Sequence, residues 1–499
     1  MILRLHRDER GQSLPIILSL ITVLFLVGTA IAAHISVALQ ATVANETQAG
    51  DLHAADAGAE LGMWWQRNGN AGSPPAITIN GLTVTTTVST SAGVPCVAPS
   101  PIALTGFEHG VVSAAGGFFT ALTGAGLSAD AGVNRSGAYS LKVTSAAGAS
   151  SNGELAIGPA VGVGVVRVYV RLASLPAADV SELLVMHTTT GSDLQLGYLS
   201  ATKNLQIVIG SGVGSKVTGT TVIAAGTWYR IDLQFVANSN PHTAAWQIDG
   251  VGQPALSKAG GASTFKSLIL GSRVAADAFT ANYDDVLVSG TAADFPMGVG
   301  AVEALRPNGM GTNNTPGSFR DDDGTAVDAA SYTRLDESPM SGSSDYVLQQ
   351  TIGAADYVEV TFDDTTSGCV VGVSGLLAYH AAGTAGSTGK ASIFSGGTER
   401  IIYNGSMSVT SLAYAAAIAA PVASTWTRTA VNALTARIGY SSDVTPNPYW
   451  DSLMLEVATG SYVPGTVTVT SNAGGSTITT TYTDVGSAAP TLLSWTTTR

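Results

Sequence analysis

From Leu14 to Val43 the chain carries no Asp, Glu, Lys or Arg, and no other stretch restricts its fold so strongly. A run of this length can cross a hydrocarbon layer as a helix, and in such a layer only helices and closed barrels satisfy every backbone N–H and C=O. Arg4, Arg7 and Arg10 precede the run, while Glu46, Asp51, Asp56 and Glu60 come after it. The preference of basic residues for the cytoplasmic side predicts an N-terminus inside and a body exported across the membrane.

Three readings of this segment compete. Basic residues, an apolar run and the small-residue site Ala30-Ile31-Ala32 suit a secretory signal peptide, and the run alone suits an uncleaved signal anchor. The third reading includes the adjoining segment. Gln40 to Gln66 contains no proline and places Val43, Thr47, Gly50, Ala54, Ala57, Leu61 and Trp64 at alternating spacings of three and four, one face of a continuing helix. Leu14 to Gln66 then makes a single rod of about 80 Å at 1.5 Å per residue. A cleaved signal peptide has no use for such a rod, which favours the third reading. Gly28, Ala30, Ala32, Ala33, Ala38 and Ala41 would let neighbouring apolar helices approach closely. His34 is assigned no role.

The segments Arg10-Gly11-Gln12-Ser13-Leu14 and Ala54-Ala55-Asp56-Ala57-Gly58-Ala59-Glu60-Leu61 resemble the N-terminus of type IV pilus minor pilins of the PilX type. The resemblance implies a leader over 1–11, cleavage by a prepilin peptidase after Gly11, a new N-terminus at Gln12, and a membrane and filament helix over 12–67 that packs with other pilins. It also implies residence in the cytoplasmic membrane before assembly into an extracellular filament. Main pilins carry a glutamate at the fifth mature position, and here that position is Ile16, which argues against the main shaft.

The rest reads as β structure. The chain has 499 residues, about three units at roughly 100–200 residues each. Ile77-Thr78-Ile79-Asn80-Gly81-Leu82-Thr83-Val84 predicts a hairpin, because Asn-Gly between β-branched runs fits a tight turn. Gly465 to Thr470 and Ser476 to Tyr482 predict another, and Pro490-Thr491-Leu492-Leu493-Ser494-Trp495 resembles the last strand of PilX-type pilins. These imply a head split between 76–92 and 461–499, with Leu61 and Trp64 expected to cover its sheet. Between the two parts, short strands with Gly-rich turns and little helix signal predict β-sandwiches. Gly106-Phe107-Glu108, Trp228-Tyr229-Arg230-Ile231-Asp232-Leu233 and Ile248-Asp249-Gly250 resemble laminin-G/concanavalin-like jelly rolls over 103–295, and a second jelly-roll-like unit is expected over 300–459. The fold class is thus mainly β with one long N-terminal helix.

Composition excludes some functions. With 22 Lys plus Arg against 35 Asp plus Glu the net charge is −13, and no basic stripe offsets it, so nucleic acid is not an expected partner. Cys96 and Cys369, the two cysteines, form neither a disulfide framework nor a zinc site. They read as isolated thiols or at most one long-range bridge, and no bridge is expected. Jelly rolls can host glycoside hydrolases, but Glu359 with Phe362-Asp363-Asp364 gives no clean carboxylate pair, and no nucleophile motif is present. A non-enzymatic protein is expected.

Calcium is the better inorganic candidate, since it takes hard oxygen ligands outside cells. The jelly-roll resemblance points to Glu108 with Asp284 or Asp285. Asp321-Asp322-Asp323-Gly324 with Asp328 is a second acidic cluster, but Phe319 breaks the EF-hand spacing. Trp228, Trp246, Tyr198 and Trp450 could stack on sugars, yet Trp228 and Trp246 sit in apolar strands where an inward indole is expected. The sequence therefore reads as a minor pilin-like subunit displaying two sandwiches for adhesion to surfaces, glycans or proteins. The alternative is a membrane-anchored or secreted lectin that never polymerises.

Overall fold

The computed structural model describes residues 13–67, 73–91, 100–113, 119–210, 215–312, 314–315, 318–340, 345–350, 356–367, 369–381, 388–406, 413–419, 425–440, 448–460, 465–484 and 492–498. Gly11, Gln12 and Cys96 lie outside them. The protein is mainly β, with one long N-terminal helix and several antiparallel sheets. It divides into two compact units, 1–94 with 464–499, and 95–463.

In the first unit the helix Ser13–Arg67 runs unbroken, as the absence of proline after Pro15 requires. Its apolar side chains from Ile17 to Val43 are exposed, so the helix is long and apolar enough to cross a membrane. Its second half docks on a five-stranded sheet, ordered Ile77–Ile79, Leu82–Ser91, Gly465–Ala473, Ser476–Asp484 and Leu492–Thr498. Strands from the two ends of the chain pair directly, with Val88 opposite Val469 and Val84 opposite Ala473. Asn80 (φ 52°) and Gly81 (φ 83°) are both left-handed, the geometry that the first hairpin needs. The second hairpin is tighter than expected, with strands reaching Ala473 and restarting at Ser476.

Small residues make the helix–sheet contact. Ala54, Ala55 and Ala59 are buried against Val84, Val469 and Ile478. A Cβ on Gly58 would sit 2.1 Å from Ser471 Oγ and 2.4 Å from Val84 Cγ1, and one on Gly62 2.5 Å from Val469 Cγ1. Trp64 is 57% exposed and Leu61 only half-buried, so the expectation that these two cover the sheet is corrected. The alanine–glycine face lets the backbones approach more closely than an indole would.

The second unit holds two sandwiches. The first packs a seven-stranded sheet, centred on Val180–Thr188 and Phe265–Ser272, against a sheet centred on Val163–Leu172 and Phe279–Ser289. Their inner faces share one large core that includes Trp246, Tyr198, Phe235 and Phe265. The second packs a sheet built on Val370–Ala381 and Pro448–Gly460 against a five-stranded one, ordered Pro307–Met310, Tyr357–Phe362, Thr435–Tyr440, Thr388–Ser395 and Thr398–Ser406. Trp450 fills its core. Leu104, Val165, Leu287, Val302, Cys369, Val371 and Ala458 form an apolar seam between the sandwiches. Cys369 is disulfide-bonded, which corrects the expectation of unpaired thiols. Pro101 lies over Gly372, where a Cβ would come within 2.5 Å of its Cγ, so the chain entering the first sandwich runs against the strand that follows Cys369.

Candidate functional site

The outward face of the seven-stranded sheet carries a polar cluster that no sequence motif announced. Leu184 and Met186 point into the core, so alternation turns His187 outward, while Glu182, which strict alternation would place with them, lies where the register to the next strand shifts between Leu196 and Tyr198 and reaches Arg273. Gln195 comes from the neighbouring strand and Asp193 immediately precedes that strand, while Arg273 succeeds the strand on the other side. Arg273 clamps Glu182 through Nη2 to Oε1 (2.7 Å) and Nε to Oε2 (3.2 Å), and its Nη1 donates to Asp193 Oδ2 (2.9 Å). His187 Nδ1 lies 2.9 Å from Asp193 Oδ1, and Gln195 Nε2 donates to Glu182 Oε1 at 3.0 Å.

Burial alone would push Asp193 up, but hydrogen bonds from Thr188 N, His187 and Arg273 outweigh it and hold the carboxyl below its ordinary value. Asp193 is therefore a fixed anion, unsuited to act as a general acid. The Arg273 and His187 side chains remain 30% and 23% exposed, so donors held in place by buried carboxylates face solvent. Such a surface can hydrogen-bond a polyol. Sequence reasoning missed it because Glu182, Asp193 and Arg273 are far apart in the chain. The only local sign is charge punctuating otherwise apolar strands.

The residues expected for calcium do come together, at the joint between the sandwiches. Asp284 Oδ2 accepts from Arg135 N (2.8 Å) and Ser136 N (3.4 Å), and its Oδ1 from Asp285 N (2.7 Å). Asp285 Oδ1 accepts from Ser136 Oγ (2.6 Å) and Val302 N (2.5 Å), and its Oδ2 from Arg135 Nη1 (2.7 Å). Arg135 Nη1 also donates to Gly300 O. Glu108 Oε2 accepts from Ala138 N (2.7 Å), whereas its buried Oε1 has no partner. Glu108 N donates to Glu456 Oε1 of the second sandwich at 2.9 Å.

Asp285 therefore ties one sandwich to the other, and all its oxygens are taken. Glu108, with Oε1 unpartnered among the described residues, fits a hard cation better, whereas both Asp284 oxygens already accept backbone N–H bonds and would reach a cation only with their remaining lone pairs. Burial raises Glu108 to about 8, reinforced by Glu456 and Asp285, and burial beside Asp285 pushes Asp284 up as well. Four buried carboxylates stand here with Arg135 and the buried Arg167, so Glu108 and Asp284 hold protons unless a divalent cation takes the protons' place. Gly137 makes room, since a Cβ there would lie 1.9 Å from Glu108 Oε1. Among the described residues no group of three His, Cys, Asp or Glu side chains is arranged to hold a metal, so backbone oxygens would have to complete the shell.

The other candidates resolve into structure. Asp322 and Asp323 pair with Arg334 at 3.0 and 3.8 Å, Asp345 shares the same guanidinium at 2.9 Å, and Asp321 Oδ2 accepts from Ser331 Oγ, an acidic turn held together by one arginine. Trp246, Tyr198 and Trp450 are buried, and Trp228 is half-buried.

No protein-family model matches the chain, and no curated protein matches it. Among solved structures it is similar to the cellulose-induced protein Cip1, at 16% identity over 38% of this chain and 97% of that one, with a TM-score of 0.31. It is similar to domain 4 of AbnA, an extracellular arabinanase from Geobacillus stearothermophilus, at 16% identity over 38% and 92%, with a TM-score of 0.29. A sialidase of Trypanosoma rangeli aligns at 14% identity over 33% and 27%, with a TM-score of 0.24.

Proposed function

We propose that the chain is a non-enzymatic, minor pilin-like subunit of a filament, displaying two β-sandwiches that adhere to glycans or surface proteins. One observation carries the reading: a continuous helix whose first half is apolar and exposed, and whose second half is docked through small residues on a sheet woven from both ends of the chain. Exposed apolar surface on this scale needs lipid or neighbouring apolar helices, and a filament core supplies the second when the subunit leaves the first. A prepilin peptidase and other pilins are the partners this implies.

Adhesion is assigned to the outward face around Arg273, His187 and Gln195. Arg273 occupies both nearby carboxylates, which favours recognition over acid–base catalysis. Calcium belongs to this reading as a structural ion held chiefly by Glu108, beside Asp284. The anchored lectin is the second reading, favoured by the fact that one apolar helix suffices as an anchor. Shearing filaments from producing cells and probing them with antibody to the sandwiches separates the two. The filament reading expects the chain in the sheared fraction, and its confinement to membranes would favour the lectin.

A further inference from the structure

The second sandwich has its own outward face. On its five-stranded sheet Glu359, Arg437 and Ser392 are opposite one another on three adjacent strands. Val358, Val360, Ala436, Ile438, Ala391 and Ile393 belong to the core, so alternation sends Tyr357, Glu359, Arg437, Ser392 and Phe394 outward. Here the Arg437 guanidinium is held on three sides. Its Cζ lies 4.3 Å from the centroid of the Tyr357 ring, on one neighbouring strand, and 4.1 Å from that of Phe394, on the other. Its Nε donates to Glu359 Oε2 at 2.7 Å.

What remains is the far edge. The Arg437 side chain is 26% exposed although rings flank it on both sides, and among the described residues neither terminal nitrogen is bonded to a protein acceptor. A guanidinium whose Nε is anchored and whose ring neighbours fix its plane presents Nη1 and Nη2 as a rigid fork, the geometry that matches two oxygens of one anion. Glu359 pairs with Nε and Glu399 with Lys390, so two carboxylates stand against two cations here and the fork offers an oriented pair of donors rather than an uncompensated charge. Ile401, opposite Ser392 and 49% exposed, extends apolar surface beside the rings, on which the C–H face of a sugar could rest.

We infer that this face binds an acidic polysaccharide, with the oxyanion of one sugar, carboxylate or sulfate, taken by the Arg437 fork and its ring laid against Phe394 and Ile401. The site is separate from the Arg273 face and does not depend on the filament reading. The test uses the full chain in detergent micelles, titrated calorimetrically with a galacturonate hexamer, its methyl ester, a sulfated hexasaccharide and a neutral galactose hexamer. The acid should bind at least tenfold tighter than ester or neutral oligomer. Binding of the uronate alone assigns the oxyanion to carboxylate, binding of the sulfated oligomer alone to sulfate, and either supports the fork. Arg437→Lys, which keeps the charge and loses the fork, should weaken binding at least tenfold with an unchanged melting temperature, and Phe394→Leu should weaken it without touching the charge. Equal binding of acid and ester with no response to sulfate, no binding of any oligomer, or wild-type affinity in a folded Arg437→Lys protein would overturn the proposal. The ester comparison stands even where a variant fails to fold.

Discussion

Glu337 lies in a loop whose Leu335 and Glu337 carbonyls accept hydrogen bonds from the strand Pro448–Gly460, and both its carboxylate oxygens are buried without a partner among the described residues. Burial, with Asp345, Asp336 and Asp451 adding to it, raises the group to about 8. A carboxyl whose folded value exceeds its unfolded one favours the folded state while protonated, so its contribution is full below about 4.5 and is lost as pH climbs through about 8. Glu337→Gln should therefore leave the melting temperature nearly unchanged at about pH 5 and raise it at about pH 9. Equal shifts at both pH values would contradict this ionisation. Glu108 gives a second expectation. Millimolar calcium should raise the melting temperature of the full chain, and Glu108→Gln should remove the gain, since a ligand bound only by the native state stabilises it by mass action. The grouping of Glu108 with Asp284 and Asp285 was legible through a family resemblance. The use of Asp285 as a joint was not, because Val302 N and the Glu456 carboxylate that complete the joint belong to elements the sequence does not place beside it.

Among elements, the helix gives the sharpest contrast. Gly50 has nothing within 4 Å of a would-be Cβ, whereas Gly58 has Ser471 Oγ at 2.1 Å. In a helix interior Ala exceeds Gly by roughly 1 kcal/mol, while overpacking costs about 1–3 kcal/mol. Gly50→Ala should thus be neutral to stabilising, and Gly58→Leu should destabilise the first unit by about 1–3 kcal/mol despite its better propensity, read as the first unit's transition in calorimetry. A Gly58→Leu protein as stable as the parent would mean the helix does not dock as described. Helix and hairpins were readable from periodicity and from Asn80-Gly81, because both signals are local. The docking face was misjudged because a spacing pattern that includes Leu61 and Trp64 marks large residues, while the contact is made by Ala54, Ala55, Gly58, Ala59 and Gly62. Small residues carry little hydrophobic signal, and their role is to let two backbones come close. In the sandwiches the burial of Trp246 agreed with its apolar strand context while Trp228 stayed half-buried, and the outward clusters around Arg273 and Arg437 were not legible. Each is assembled across neighbouring strands whose order in the sheet the sequence does not state.

For the whole molecule, the chain encloses one unit within another: both sandwiches lie in sequence between the strands Leu82–Ser91 and Gly465–Ala473, which pair as neighbours. A membrane helix with an exported adhesive body would need only the helix and the sandwiches. The filament account alone also requires processing at the lip of the apolar run, between Gly11 and Gln12. Intact-mass and N-terminal mass spectrometry of the protein purified from producing cells tests this most directly. The account predicts a mature chain that begins at Gln12, whereas a chain that begins at Ala33 or His34, or one that retains Met1 throughout, would contradict it.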